Sequence, residues 1–184
     1  PTGSIVVIDF YAKAILDGRG YQVRAGTITT PLSADVEITD AAAEMCADAA
    51  TGHVIIPVFL QVDIEALVGT LPHVTAKSVA TVSSAGAAFV PLPLRSDAVA
   101  AVTTARVAAA GGVAVTAELA TTTLRHYART LAVAAADQAI WEPSRPPRLT
   151  GPRCFYVQVG SVTTGSTYFG LFDYLQFTTA QLNG

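Results

Sequence analysis

Apolar residues alternate with other residues at a period of two along much of the chain, and this alternation constrains the fold more than any other feature. Its longest example is the segment 54–65. One face of that segment would carry Ile56, Val58, Leu60, Val62 and Ile64, and the other Pro57, Phe59, Gln61, Asp63 and Glu65. This periodicity predicts a strand buried on one side. Because proline cannot donate a ladder hydrogen bond, we expect an edge or a bulge at Pro57.

Further apolar or alternating runs, rich in valine, threonine and aromatic residues, follow the same pattern. They are the segments 5–11, 21–30, 34–39, 77–83, 113–119, 155–159 and 168–177. Turn residues such as Asp17-Gly18, Gly111-Gly112 and Gly151-Pro152 separate the runs. About eight to ten short strands, with turns every 8 to 12 residues, are typical of a β-sandwich or barrel.

The run 168–177 is the most aromatic of these predicted strands. Its alternation would put Phe169, Leu171, Leu175 and Phe177 on one face, and Tyr168, Phe172 and Tyr174 on the other. We expect the face with Tyr168, Phe172 and Tyr174 to point outward, away from the core.

Two segments fit a helix as well as a strand. The segment 40–50 is rich in alanine and has Thr39 or Asp40 as a candidate N-cap, which favours a helix. The segment 120–139 has apolar residues at helical spacing, but it contains three consecutive threonines, which favour a strand. The expected all-β fold therefore allows one or two short helices.

Length and charge exclude several classes of protein. The 184 residues suit one domain, 1–184. Only 14% of residues are charged, the net charge is −3 and no run of lysine and arginine occurs, so we expect no strong nucleic-acid binding. No stretch of about 20 residues is continuously apolar, so we expect no transmembrane segment.

The two cysteines, Cys46 and Cys154, are expected to be free and buried. The sequence opens at Pro1 without the charged and apolar regions of a signal peptide. This start is what removal of an initiator methionine would leave, and it suggests a nearly whole protein made in a cytosol. Cysteines without a secretory context are more often reduced than bridged.

Residues for catalysis, metal binding or phosphate binding do not form a known motif in this sequence. No G-x-S-x-G pattern occurs, and His53, His73 and His126 lie outside metal-ligand spacing. Asp63 and Glu65 share a strand face, which suits part of a cation site, an acid pair or, more often, a solvated surface. We therefore predict no catalytic residue, no metal and no cofactor, and a protein that is not an enzyme.

The residue types that remain point to association between chains. Arginine outnumbers lysine nine to two, and interfaces favour arginine and aromatic residues over lysine. We predict a homo-oligomer with contacts from Trp141, Arg145, Arg148, Arg153, Tyr168, Phe172 and Tyr174. The alternative is that loops of the same chain cover these side chains.

Three segments carry a resemblance to a known family. They are the terminal run Gly165-Ser166-Thr167-Tyr168-Phe169-Gly170-Leu171-Phe172, the proline-containing strand 54–59 and the strand 155–159. With the expected strand number, they make the chain resemble viral single jelly-roll capsid proteins. The terminal run is also similar to the last strand of tumour-necrosis-factor-like jelly rolls, which trimerise.

The resemblance implies an antiparallel jelly-roll sandwich of about eight strands, acting as a structural subunit of a virus-like shell. Its partners would be copies of itself, in trimers or higher rings, and other capsid proteins. Its location would be the virion, after synthesis in the host cytoplasm. Because residues 1–13 lack an arginine- and lysine-rich arm, the resemblance points to a phage-like shell whose genome is held by other means, or to a decoration or spike protein.

Two other functions stay open from the sequence. The first is a trimeric receptor-binding or adhesin head with the same fold. The second is a small β-sandwich hydrolase built on Asp63, Glu65 and a histidine.

Overall fold

Strands dominate the computed structural model, which describes residues 9–35, 42–66, 72–108, 112–115, 123–131, 137–160 and 166–183. The strands are β1 (Gly20–Ala25), β2 (Leu32–Ser33), β3 (Ala42–Ala43), β4 (Met45–Ala49), β5 (His53–Ala66), β6 (His73–Val79), β7 (Ala87–Phe89), β8 (Leu92–Pro93), β9 (Thr104–Val107), β10 (Val113–Ala114), β11 (Leu124–Thr130), β12 (Gln138–Trp141), β13 (Leu149–Thr150), β14 (Arg153–Gly160) and β15 (Thr167–Thr178). The helices are α1 (Phe10–Leu16) and α2 (Thr179–Asn183). All pairs among these strands are antiparallel, which confirms the predicted all-β class.

Two large sheets pack face to face. The seven-stranded sheet has the order β12-β5-β15-β1-β8, with β13 beside β5 and β2 beside β15. The six-stranded sheet has the order β11-β6-β14-β4-β9-β7, and β3 pairs with β10 in a separate two-stranded sheet. Val23 and Phe172 of the first large sheet and Met45, Phe155 and Val157 of the second belong to one buried cluster, which fills the space between the sheets.

Strand β5 matches the predicted strand 54–65 and contains the expected bulge. Asp173 of β15 pairs with Phe59, but the next residue, Tyr174, pairs with Pro57, so Val58 is the extra residue. A bulge lets a central strand accommodate a proline that cannot donate to the ladder. The extra residue also changes which side chains point inward, so Ile56 packs on the outer face and not in the inner cluster.

Strand β15 confirms the predicted strand 168–177, but the expected orientation of its aromatic face is wrong. Tyr168, Phe172 and Tyr174 are 0% exposed and belong to the cluster between the sheets. Phe169, expected inside, is half-buried on the other face. Period two defines two faces of a strand but does not say which one meets the opposite sheet.

Helix α1 replaces part of the strand predicted over 5–11. The side chain of Asp9 caps the helix, because its Oδ1 accepts a hydrogen bond from the Tyr11 backbone N–H at 3.0 Å. Residues 5–8 lie outside the described residues. The helix covers the outer face of the seven-stranded sheet, where buried side chains form one cluster. They are Ala14, Val54, Ile56, Leu175 and Phe177.

The described parts of the two ambiguous segments contain strands and no helix. In the segment 40–50, β4 lies between β14 and β9, and both neighbours hydrogen-bond to its backbone. This pairing overrides the helix propensity of its alanines. In the segment 120–139, β11 and the beginning of β12 are described. Residues 40–41, 120–122 and 132–136 lie outside the described residues, as do 36–39 and 116–119 of two other predicted strands.

Two further observations concern expectations from the sequence. Cys46 and Cys154 are free and buried, as predicted. Among the described residues, neither helix is long and apolar enough to cross a membrane.

Candidate functional site

Three of the four aromatic residues predicted for an interface, Trp141, Phe172 and Tyr174, belong to a column of stacked rings in the sandwich. Trp141 stacks on Phe155 with 6.0 Å between ring centroids, and Phe155 meets Phe172 edge-on at 5.2 Å. Phe172 lies 6.1 Å from Tyr174, which stacks on Tyr21 at 5.8 Å. The column joins both large sheets from the edge strand β12 to β1, so these rings stabilise the sandwich. Burial of the three β15 rings leaves them no surface for a partner to contact.

The three predicted interface arginines surround the proline-rich connector between β12 and β14. Arg145 and Arg148 are exposed, whereas Arg153 is half-buried at the start of β14. Trp141, at the end of β12, is half-buried against its own chain. Trp141, Arg145, Arg148 and Arg153 thus lie within one stretch of 13 residues, from the end of β12 to the start of β14, and their role in an interface stays a prediction.

Exposed apolar side chains mark both lateral sides of the sandwich. On one side the edge strands are β11 and β12, where Leu124 is 53% and Ile140 is 43% exposed. On the other side the edge strands are β7 and β8, where Leu92 is 36% exposed and Val90, between the two strands, is 75% exposed. We call these the β11/β12 side and the β7/β8 side. The sequence alone does not reveal these two sides, because isolated apolar residues in short strands give no signal of exposure.

A buried serine–histidine pair also escaped the sequence analysis. Ser78 Oγ lies 2.9 Å from His126 Nε2, and Ser78 has no exposed surface. His126 is the extra residue where the pairing steps from Arg125–Lys77 to Tyr127–Ala76. Burial lowers the pKa of His126, and the positive charge of Arg153 lowers it further. The pair satisfies two polar side chains inside the sandwich.

A buried carboxyl group contacts the aromatic face of β15. Glu44 lies in the bend between β3 and β4, and its Oε2 accepts a hydrogen bond from the Tyr168 hydroxyl at 2.5 Å. Burial raises the pKa of Glu44 to about 7, the hydrogen bond from Tyr168 opposes the rise, and the charge of Asp35 adds to it. Glu44 therefore titrates near neutral pH.

Asp63 and Glu65 lie on the outer face of β5, as the alternation predicted. Asp63 Oδ2 accepts a hydrogen bond from Gln61 Nε2 at 2.8 Å, and Glu65 Oε2 accepts one from Thr167 Oγ1 at 3.3 Å. His53 begins the same strand, about 30 Å away along an extended chain. The structure does not bring His53 to these two carboxylates.

One group of potential metal ligands occurs among the described residues. The ligand atoms of Cys46, Asp48 and Cys154 all lie within 4.8 Å of one another, and all three residues are buried. Burial raises the pKa of the Cys154 thiol.

Comparison with models of protein families, with curated proteins and with solved structures finds no match to this chain.

Proposed function

We propose that the chain is a jelly-roll domain spanning 1–184 and that it serves as a self-assembling structural subunit of a virus-like shell. The order of strand pairing carries the fold part of this proposal. Eight of the strands carry the pattern, and in chain order they are β1, β4, β5, β6, β11, β12, β14 and β15. They pair as nested partners: first with eighth, second with seventh, third with sixth and fourth with fifth.

Two further pairs complete the pattern. The eighth strand also pairs with the third, and the seventh with the fourth, which closes two four-stranded groups of order 1-8-3-6 and 2-7-4-5. Nested pairing of this kind results when one long antiparallel hairpin is rolled up. The product is a double Greek key, the arrangement found in viral capsid and lectin domains.

A fold alone does not imply a function, so the proposed role in a shell depends on features of the surface of the domain. The β11/β12 side and the β7/β8 side each carry exposed apolar residues, and these residues differ between the two sides. When two different patches bind each other, head-to-tail contacts form, and these generate rings if the rotation closes. A subunit of a shell needs such contacts on more than one side.

The low charge of the chain also favours contacts with further copies of itself. A net charge of −3 and a charged fraction of 14% give copies of this chain little mutual repulsion. Exposed Arg145 and Arg148 lie in the connector that follows edge strand β12, and arginine loses less on desolvation than lysine does. We propose the virion as the location and further copies of the chain as the principal partner.

The test uses single variants that place a charge on one side at a time. Leu124→Lys alters the β11/β12 side and Leu92→Lys the β7/β8 side. Val82→Ser is the control, because Val82 is 54% exposed but lies outside the edge strands. Light scattering during size exclusion gives the mass, and negative-stain microscopy gives the particle shape.

We expect the unaltered chain and Val82→Ser to form rings larger than a trimer or closed particles, and each lysine variant alone to be a monomer. An equimolar mixture of Leu124→Lys and Leu92→Lys should form a dimer, because each supplies the side that the other lacks. A dimer formed by one lysine variant alone would contradict head-to-tail contacts. A monomeric unaltered chain across a hundredfold dilution would contradict self-assembly, and closed trimers without larger particles would favour the adhesin or decoration alternative.

A further inference from the structure

Two cysteines and an aspartate meet on the outer face of the six-stranded sheet. Cys46 and Asp48 are two residues apart on β4, so their side chains share a face. Cys154 of β14 is paired directly with Asp48. Ser83, in the segment after β6, completes the group, because Cys46 Sγ donates a hydrogen bond to Ser83 Oγ at 3.1 Å.

The spacing of these atoms suits a single tetrahedral ion. The ligand atoms of Cys46, Asp48 and Cys154 lie within 4.8 Å of one another. Two sulfurs on a tetrahedral Zn²⁺, each at about 2.3 Å from the metal, are about 3.8 Å apart. Small side-chain rotations would bring the three ligand atoms to that separation. Sulfur and carboxylate oxygen are both among the ligands that Zn²⁺ takes in proteins.

A second observation is independent of the cysteines. Asp48 is only 4% exposed, and its hydrogen bonds come from the Ser83 backbone N–H at 2.9 Å and the Ser83 hydroxyl at 2.6 Å. Within the described part of the chain, no lysine, arginine or histidine forms an ion pair with it. The remaining neighbours include Val79, Val113 and Val115. Buried carboxylates are normally paired with a cation or bound to a metal.

We propose that Cys46, Asp48 and Cys154 bind one Zn²⁺ per chain, with Ser83 Oγ as the fourth ligand. Zn²⁺ takes cysteine as the thiolate, so any proton on the two sulfurs goes to the solvent when the ion binds, and the carboxylate and the neutral hydroxyl complete the ligand set. Four protein ligands close the coordination sphere, which is the arrangement of a structural site. The metal joins β4, β14 and the segment after β6.

The same thiols could instead form a disulfide, but that product would leave the buried Asp48 without a cation. The proposal stands apart from shell assembly, because one chain supplies all the ligands. It can therefore be tested on monomeric Leu124→Lys protein as well as on the assembled form.

The experiment uses Co²⁺ as a spectroscopic probe on protein that has been reduced and treated with a chelator. We expect thiolate-to-cobalt charge transfer and the visible bands of tetrahedral Co²⁺, both saturating at one equivalent and removed by added Zn²⁺. A pH indicator should record proton release when the ion binds. The midpoint of thermal unfolding should rise with Zn²⁺, since an ion that binds the folded chain stabilises it.

Variants separate the ligands from the packing around them. Cys154→Ser and Asp48→Asn should each weaken Co²⁺ binding at least about tenfold. Val79→Ala removes a neighbour in the same cluster but no ligand, so its bands should be unchanged. Circular dichroism identifies any variant that fails to fold, and the stoichiometry of the unaltered chain tests the site without variants. No saturable band in the folded, reduced chain, bands retained in both ligand variants, or a Cys46–Cys154 disulfide in the purified protein would overturn the proposal.

Discussion

The layer between the two large sheets and the layer on the outer face of the six-stranded sheet are both buried, but their chemistry differs. The inner layer consists mainly of aliphatic and aromatic side chains such as Val23 and Phe172, and the Ser78–His126 pair is a polar exception. The outer layer places buried Asp48, Lys77 and Gln158 beside apolar residues. Strand faces that look like solvent-exposed surface in the sequence become buried here because β3 and β10 lie beside them. Burial alone therefore does not make a layer apolar, and the outer layer keeps groups that can bind or donate.

The largest effect should come from Phe172 in the inner layer. Phe172→Ala removes a ring that contacts both Phe155 and Tyr174, and we expect a loss of about 3–5 kcal/mol in the free energy of unfolding. Phe169→Ala, three residues away on the half-buried face of the same strand, is the matched control and should cost less than half as much. Urea unfolding of both variants gives the comparison.

The comparison of Phe172→Ala with Phe169→Ala also tests which face of β15 meets the opposite sheet. A larger loss for Phe169→Ala than for Phe172→Ala would restore the orientation expected from the sequence, with Phe169 inside. Equal losses would mean that both faces of this part of β15 are covered to the same extent.

The difference between the layers explains how far the sequence could predict the structure. The alternation in β5 and β15 predicted strands correctly, and the missing N–H of Pro57 predicted the bulge, because both effects are local. The orientation of Phe172 and the strand conformation of Ala47 depend on which strands lie opposite or beside them, and no local pattern records that. The Cys46–Asp48–Cys154 group is a stronger case, because its members come from strands more than a hundred residues apart.

The second prediction concerns Glu44, a polar group that reaches the edge of the inner layer. Its pKa is higher in the folded chain, about 7, than its ordinary value of 4.5. The folded chain therefore holds the proton more tightly, so this stabilisation is present below pH 4.5 and is lost as the pH rises through 7. At about 1.36 kcal/mol per pH unit, the loss amounts to about 3 kcal/mol. Urea unfolding between pH 4.5 and 8 measures it.

Glu44→Gln is the control, because it keeps the shape but cannot ionise. His126 acts in the opposite direction: its lowered pKa gives stability that is present above pH 6.5 and is lost as the pH falls through its value in the folded chain. In Glu44→Gln, the free energy of unfolding should therefore no longer decline toward pH 8. The decline on the acid side, to which His126 contributes, should remain. A decline toward pH 8 that persists in Glu44→Gln would assign the effect to another group.

The smallest effects on the free energy of unfolding should come from two opposite substitutions, valine to threonine in the inner layer and threonine to valine in the outer layer. Val23 has no exposed surface in the inner layer, so Val23→Thr buries a hydroxyl among apolar groups and should cost about 1–3 kcal/mol. Thr75, on the outer face of β6, donates a hydrogen bond from Oγ1 to Gln158 Oε1 at 3.1 Å, so Thr75→Val should cost about 1 kcal/mol although it adds apolar surface. Thr75→Ser keeps the hydroxyl and should retain that hydrogen bond, which makes it the matched variant. Denaturant unfolding of the three variants measures these changes in the free energy of unfolding. If Thr75→Val stabilises the chain, the outer layer behaves like an apolar core, and the contrast between the two layers does not hold.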